Sequence, residues 1–258
     1  FAAGASVGQQ YKYSITNGGN TVARRDPYSL QVTTSVGNSV IYDHGAFDWE
    51  GTSAHCPPHN ELVVYELHVG TFNKAFGNVG NLYDAAYRLD HLIDLGVNCV
   101  QIMPVAEFAG DVSWGYNPSD PFAVESSYGG PDALKTFVRE CHKRGIAVIQ
   151  DVVYNHFGPS DLDLWQFDGW SENGKGGIYF FNDWKSSTPW GDTRPDYGRG
   201  EVRQYIKDNA MMWLRDYQMD GLRLDMTPYM RSVDGSGFEI PEGWSLMRWI
   251  ADSVRTEF

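Results

Sequence analysis

Positive charge is in short supply: 258 residues carry 20 Lys and Arg against 33 Asp and Glu, a formal charge of −13. Nucleic acid and anionic membranes both call for a basic face, so neither is expected as a partner and a neutral substrate fits better. Long apolar runs are also missing. No stretch of about 18 apolar residues occurs, which argues against a membrane-spanning helix. The start, Phe1-Ala2-Ala3-Gly4, lacks the basic-then-apolar layout of a signal peptide and has no initiator Met, so the true N-terminus is expected to lie upstream. Cysteine is scarce. Cys56, Cys99 and Cys141 are widely separated, form no metal-spaced pair and cannot all be bridged. Reduced thiols in a cytoplasmic protein are the expectation, with an extracellular protein holding one bridge as the alternative.

What is abundant is aromatic. Aromatic residues make up 14% of the chain, with nine Trp and fifteen Tyr, more than a core of this size needs. Ring faces that stack on the apolar faces of sugars would use the surplus, while core packing accounts for most of them. Hydrophobic residues reach 42%, enough for one large domain or two ordinary ones.

Along the chain the rhythm changes once. From Tyr11 to about Trp49, short apolar runs alternate with turns such as Asn17-Gly18-Gly19-Asn20, the pattern of a small antiparallel β-domain. His55-Cys56-Pro57-Pro58 reads as a rigid linker, which puts a domain boundary near residue 55. Beyond it, strand and helix signals alternate: a strand over 62–69, a helix through Leu82, Ala85, Ala86, Leu89, Leu92 and Ile93, and a strand over 97–103 closed by Pro104. A helix from Gly130-Pro131 to Gly145, a strand over 146–152, a helix through Val202, Ile206, Ala210 and Trp213, the strand 221–225 and a helix over 244–254 complete the series. Such alternation means a parallel sheet with right-handed crossovers. A doubly wound sheet and an eightfold barrel both fit the count. The barrel is favoured because no Gly-rich phosphate turn follows the first strand and the long polar and aromatic loops all follow strands. The longest, roughly 154–200, is expected to form a small subdomain over the active face.

Polar side chains gather at the strand ends: Glu66 and His68, then Trp114-Gly115-Tyr116-Asn117-Pro118, then Asp151, Asn155 and His156, then Arg223 and Asp225. In Gly221-Leu222-Arg223-Leu224-Asp225, side chains two apart project to one face, so the guanidinium can pair with the carboxylate. Taken singly, each of these residues has an ordinary structural reading, such as a salt bridge at a strand end. Their recurrence at one end of successive strands points to function, because a parallel barrel keeps its chemistry there.

Asp151-Val152-Val153-Tyr154-Asn155-His156 and Gly221-Leu222-Arg223-Leu224-Asp225 resemble, in order and spacing, the first and second signature motifs of the α-amylase family of glycoside hydrolases and transglycosylases. Trp114-Gly115-Tyr116 and Tyr128-Gly129-Gly130 resemble further segments of that family, and the resemblance runs from about Leu62 onward. It implies an α/β fold, the first half of a (β/α)8 TIM barrel over 56–258, preceded over 1–55 by the end of a β-sandwich module of the glycogen-binding type. By the same resemblance Asp225 would be the nucleophile of a retaining mechanism and Arg223 would orient it and hold it charged. Asp151 would order the catalytic carboxylates, Asn155 would hold the loop, His156 would donate to a sugar hydroxyl, Tyr116 would stack on that sugar, and Trp114 would line the same site. The family's acid/base Glu belongs after the fifth strand. Glu239 and Glu242 follow Asp225 too closely to be assigned that role, so the chain is expected to be a portion of a longer enzyme and inactive alone.

The implied substrate is an α-glucan such as glycogen, starch or a maltooligosaccharide. The sandwich-like start implies a 1,4-α-glucan branching enzyme, with hydrolytic relatives of amylase, debranching or trehalose-releasing type as alternatives. A non-catalytic carbohydrate-binding relative is the alternative of another class. No cofactor is expected. Calcium stays open, through Asn155 with Asp161, Asp163 and Asp168, and no oligomeric state is implied.

Overall fold

The computed structural model describes residues 4–53, 56–74 and 78–258. At the N-terminal side, β1 (Gln10–Tyr11), β4 (Gln31–Val32) and β5 (Ser39–Val40) form a small antiparallel sheet in the order β1-β5-β4. Between them β2 (Tyr13–Asn17) and β3 (Asn20–Arg24) form a hairpin whose register, Asn17↔Asn20, places Gly18-Gly19 at its two-residue turn. The linker's His55, and with it the expected boundary, lies outside the described residues.

The main body is a four-stranded parallel sheet in the order β11-β10-β7-β6. Its strands are β6 (Val64–Leu67), β7 (Cys99–Ile102), β10 (Ala147–Val152) and β11 (Gly221–Leu224). The connections carry α1 (Val69–Phe72), α2 (Leu82–Tyr87), α3 (Leu89–Asp94), α4 (Gly130–Lys143) and α5 (Gly200–Arg215), and α6 (Pro228–Arg231) and α7 (Pro241–Glu257) follow β11. This is the first half of a (β/α)8 barrel, with chain order and spatial order in step. Leu67, Val100, Ile102, Val148, Ala85, Leu134, Phe137, Ile206 and Trp213, each at most 1% exposed, fill the space between sheet and helices. Each of the Leu, Val, Ile and Phe side chains among them contributes about 1.5–3 kcal/mol by leaving water.

Three elements differ from the sequence reading. The helix expected through Leu82 to Ile93 is two, broken at Arg88 (φ −100°, ψ 7°); the apolar spacing runs on across the break and cannot reveal it. The first strand stops at Leu67, and His68 caps α1. A hairpin of β8 (Ala106–Phe108) and β9 (Pro118–Val124) was not anticipated. Pro118 and Pro121 disguise β9, yet all seven of its residues are buried, and because among the described residues β8 is its one strand partner the missing proline donors cost little.

Buried ion pairs and cation–aromatic contacts tie the N-terminal segment to the barrel. Arg25 Nε donates to Asp120 Oδ1 at 2.8 Å, with the two side chains 2% and 9% exposed, and Arg25 N–H donates to Asp163 Oδ2 at 2.7 Å. Lys135 of α4 is buried beneath the Tyr42 ring and donates to the His44 carbonyl at 2.9 Å. The 154–200 stretch has no regular strand or α-helix, but Phe157, Phe180, Phe181 and Tyr197 are buried in the main core. All three cysteines are free thiols, Cys56 exposed and Cys99 and Cys141 buried. No helix of the described residues is long and apolar enough to cross a membrane.

Candidate active site

The ladder between β10 and β11 sets Asp151 beside Arg223 and Val152 beside Leu224. Asp225 extends that ladder by one bond, its N–H donating to the Val152 carbonyl at 2.9 Å. A single nitrogen, Arg223 Nη1, donates to Asp151 Oδ1 and Oδ2 at 3.0 and 2.8 Å and to Asp225 Oδ1 at 2.7 Å. The other oxygen of Asp225 accepts from Asn155 Nδ2 at 3.2 Å, and the same amide holds the Asp225 carbonyl at 3.0 Å. Met226, the next residue, has φ +40°, a strained value for a bulky side chain and one that recurs at functional sites.

The two carboxylates differ in access. The Asp151 side chain is 0% exposed, and its Oδ2 also accepts from Tyr116 Oη at 3.0 Å. Burial pushes its carboxyl up to about 6, although Arg223 and Tyr116 pull the other way. Asp225, 10% exposed, opens into a cleft of about 430 Å³ lined with Trp114, Tyr116, Asn117, His156, Trp190 and Met226. Asp151 therefore stands behind the cleft and positions Arg223 and Tyr116, while Asp225 is the only carboxylate among the described residues that lines it.

Tyr116 and Trp114 reach the cleft through Gly115, at φ +88°, where any side chain would collide with the Pro104 carbonyl. Trp114 is 72% exposed. His156 is buried, and burial, helped by the charge of Arg194, pushes its imidazole down to about 4. Its two nitrogens face amide oxygens, Asn155 Oδ1 at 2.6 Å from Nδ1 and Asn117 Oδ1 at 3.0 Å from Nε2. A neutral imidazole donates from one nitrogen only. Since the Asn155 amide nitrogen is committed to Asp225, Nδ1 carries the proton and donates to Asn155 Oδ1, and Nε2 is an acceptor, which requires the Asn117 amide to turn its nitrogen toward it.

Other strand-end residues do not join the cleft. Glu66 and His68 line a separate depression with Arg88 and His91. Glu239 precedes α7, and Glu242 sits in its first turn, 3.6 Å from Lys185. A larger cavity, about 700 Å³, runs beside β11 along Leu222, Leu224, Met247, Ile250 and Val254, but its apolar walls offer no catalytic chemistry.

The groups considered for calcium do not fit the ion. Asn155 spends its oxygen on His156 and its nitrogen on Asp225. Asp161 accepts from Ser35, Asp163 from Arg25, and Asp168 from Asn17 and the Trp170 amide. Their acceptors point to different protein donors, and among the described residues no three acidic, His or Cys side chains converge on a metal position.

Asn117, Trp190 and Met226 line the cleft without having been singled out from the sequence. Asn117 follows Tyr116 directly in the Trp114–Pro118 segment, and the Pro-Trp-Gly of 189–191 marks a turn with an aromatic tip. Nothing in periodicity says where such a turn folds back.

Residues 68–164 match the family model for the alpha amylase catalytic domain. Over 227 residues the chain is 39% identical to a malto-oligosyltrehalose trehalohydrolase of Rhizobium sp. (strain M-11), covering 87% of this chain and 36% of that one. Over 284 residues it is 31% identical to a 1,4-alpha-glucan branching enzyme of Pseudoalteromonas atlantica, covering 99% and 38% respectively. A solved structure of a Salmonella typhimurium protein assigned as an alpha amylase superposes with a TM-score of 0.83 at 31% identity, over 100% of this chain and 40% of that one. The chain thus spans little more than a third of the length of these curated relatives. It belongs to the α-amylase family, whose catalytic barrel contributes the sheet and the strand-end cluster described above.

Proposed function

We propose that the chain carries the nucleophile side of an α-glucan-active, retaining site. The observation that supports it most is the clamp of Arg223 on Asp225 at the floor of an aromatic-walled cleft. In this reading an Asp225 oxygen attacks the anomeric carbon and forms a glycosyl ester while the bond to the leaving oxygen breaks. Arg223 fixes one Asp225 oxygen, Asn155 the other, and the buried Asp151 keeps Arg223 in place from behind. A retaining mechanism also needs a protonated carboxylic acid about 5 Å from the nucleophile. No Glu among the described residues lines the cleft, so none of them is assigned that proton transfer.

Two acceptors are in question. Transfer to a sugar hydroxyl, as in branching, is supported by a branching-enzyme relative whose similarity extends over 99% of the chain. Hydrolysis is supported by the trehalohydrolase relatives, at 36–46% identity over shorter spans. Incubating the polypeptide that contains this chain with amylose, debranching the product and sizing the chains separates them. New side chains support branching, and only shortened linear chains support hydrolysis. Asp225→Asn should abolish either activity and leave glucan binding; retained turnover would remove Asp225 from the role, and binding without turnover in the unsubstituted protein would favour a carbohydrate-binding relative.

A further inference from the structure

Trp190 occupies the tip of a turn closed on itself. Thr188 and Gly191 exchange backbone hydrogen bonds at 2.9 and 3.2 Å, and the Thr188 hydroxyl donates to the Gly191 carbonyl at 2.7 Å while accepting from the Trp190 amide at 3.2 Å. Gly191 sits at φ +136°, a conformation that side chains disfavour. A large ring is thus carried, half-buried, on a polar loop. It lies nearly parallel to His156, with centroids 4.6 Å apart and planes at 16°, and meets Tyr229 edge-on at 5.3 Å and 72°.

Behind the turn, Arg194 is 0% exposed and directs its donors at carbonyl oxygens. Lys185 and Ser187, before the turn, accept at 2.7 and 2.5 Å. On the segment that follows Asp225, Ser232 and Val233 accept at 2.9 and 3.2 Å, together with Tyr229. Among the described residues no carboxylate pairs with this guanidinium. A buried cation used in this way fastens the base of the Trp190 turn to the segment leaving the nucleophile, which fixes the ring relative to Asp225 before any substrate arrives.

We propose that Trp190 is a substrate-positioning residue, a third aromatic side chain of the cleft besides Trp114 and Tyr116, and that a neutral glucosyl ring stacks next to Asp225 on the Trp190 face opposite His156, with Arg194 holding that wall in place. The proposal rests on the α-glucan reading above. Pyranose rings present apolar C–H faces to indoles, and a platform fixed beforehand loses little entropy when it is covered.

Calorimetric titration of maltohexaose into the polypeptide that contains this chain, in an Asp225→Asn background that blocks turnover, tests it. Trp190→Ala should bind at least tenfold more weakly and Trp190→Phe, which keeps a flat ring, within about threefold of the parent. Trp170→Ala, which removes a ring stacked on Arg199 away from the cleft, should bind like the parent. Thermal melts of each variant show that the fold is intact, and Phe rescue separates a platform from a purely structural role. If the parent binds and Trp190→Ala binds equally well, the platform is wrong and the glucan reading stands. If the parent binds no maltohexaose, the glucan reading and the platform fall together.

Discussion

Replacing Arg223 with Met removes the cation and keeps most of the side-chain volume. Its Nη1 makes three hydrogen bonds to two carboxylates whose side chains are 0% and 10% exposed. Hydrogen bonds to charged groups contribute about 1.5–3 kcal/mol each, but the Arg223 side chain is itself 40% exposed, so solvent screening reduces the total to about 2–3 kcal/mol at pH 8. For a chain of this size that is a fall of roughly 5–10 °C in Tm. The effect should depend on pH, and the sign follows from Asp151. Its native value, about 6, lies above its ordinary value of 3.8. Stability from its neutral form is therefore full below about 3.9 and is lost as pH rises through about 6. Above 6 the native state holds a buried charged Asp151 that Arg223 offsets; at pH 5 that carboxyl is mostly protonated and needs Arg223 less. Melts of the parent and Arg223→Met at pH 5 and pH 8 should show the deficit shrinking to about 1 kcal/mol at pH 5. An equal deficit at both pH values, or a deficit under about 2 °C at pH 8, would refute the clamp as described.

Arg25→Met should cost about 3–5 kcal/mol in urea denaturation, because it strands the buried Asp120; adding Asp120→Asn should recover part of that loss, and a loss below about 1 kcal/mol would mean that the N-terminal segment is not bound to the barrel in this way. Glu107 is held well above the ordinary carboxylate range by burial and by the neighbouring Glu125. Its stabilising neutral form is complete below about 4.3 and is lost as pH rises, so Glu107→Gln should flatten the decline of Tm between pH 5 and pH 9, and unchanged slopes would contradict it. His156, pushed down to about 4 by burial and Arg194, should give an NMR titration midpoint below 5; a midpoint near 6.5 would remove the acceptor role assigned to Nε2.

Much of the barrel was legible because its signals are local. Strands β7, β10 and β11 are short, mainly apolar segments between turn residues, and α4 and α5 keep helical spacing on one buried face. Arg223 and Asp225 were readable as a same-face pair for the same reason, and the match of Asp151 to His156 with a family motif placed the partner strand. What escaped reading depends on contacts distant in sequence. Pro118 and Pro121 mask a strand that exists only because β8 and the core close around it. Trp190 lies 34 positions from His156 and meets it at the tip of a turn whose base Arg194 ties to carbonyls on two separate segments. Calcium remained open from the sequence because spacing alone cannot show that Asp161 and Asp163 are already engaged by Ser35 and Arg25.

The claim that carries the most is that Asp225 is a nucleophile. A 5-fluoro-α-glucosyl fluoride tests it directly, because fluoride departs without an acid: the C1–F bond breaks as a bond from C1 to an Asp225 oxygen forms. Peptide mapping by mass spectrometry after incubation with the polypeptide that contains this chain should find one fluoroglucosyl adduct, on the peptide containing Asp225, and none in Asp225→Asn. No adduct, or an adduct on another carboxylate such as Asp151, would contradict the assignment.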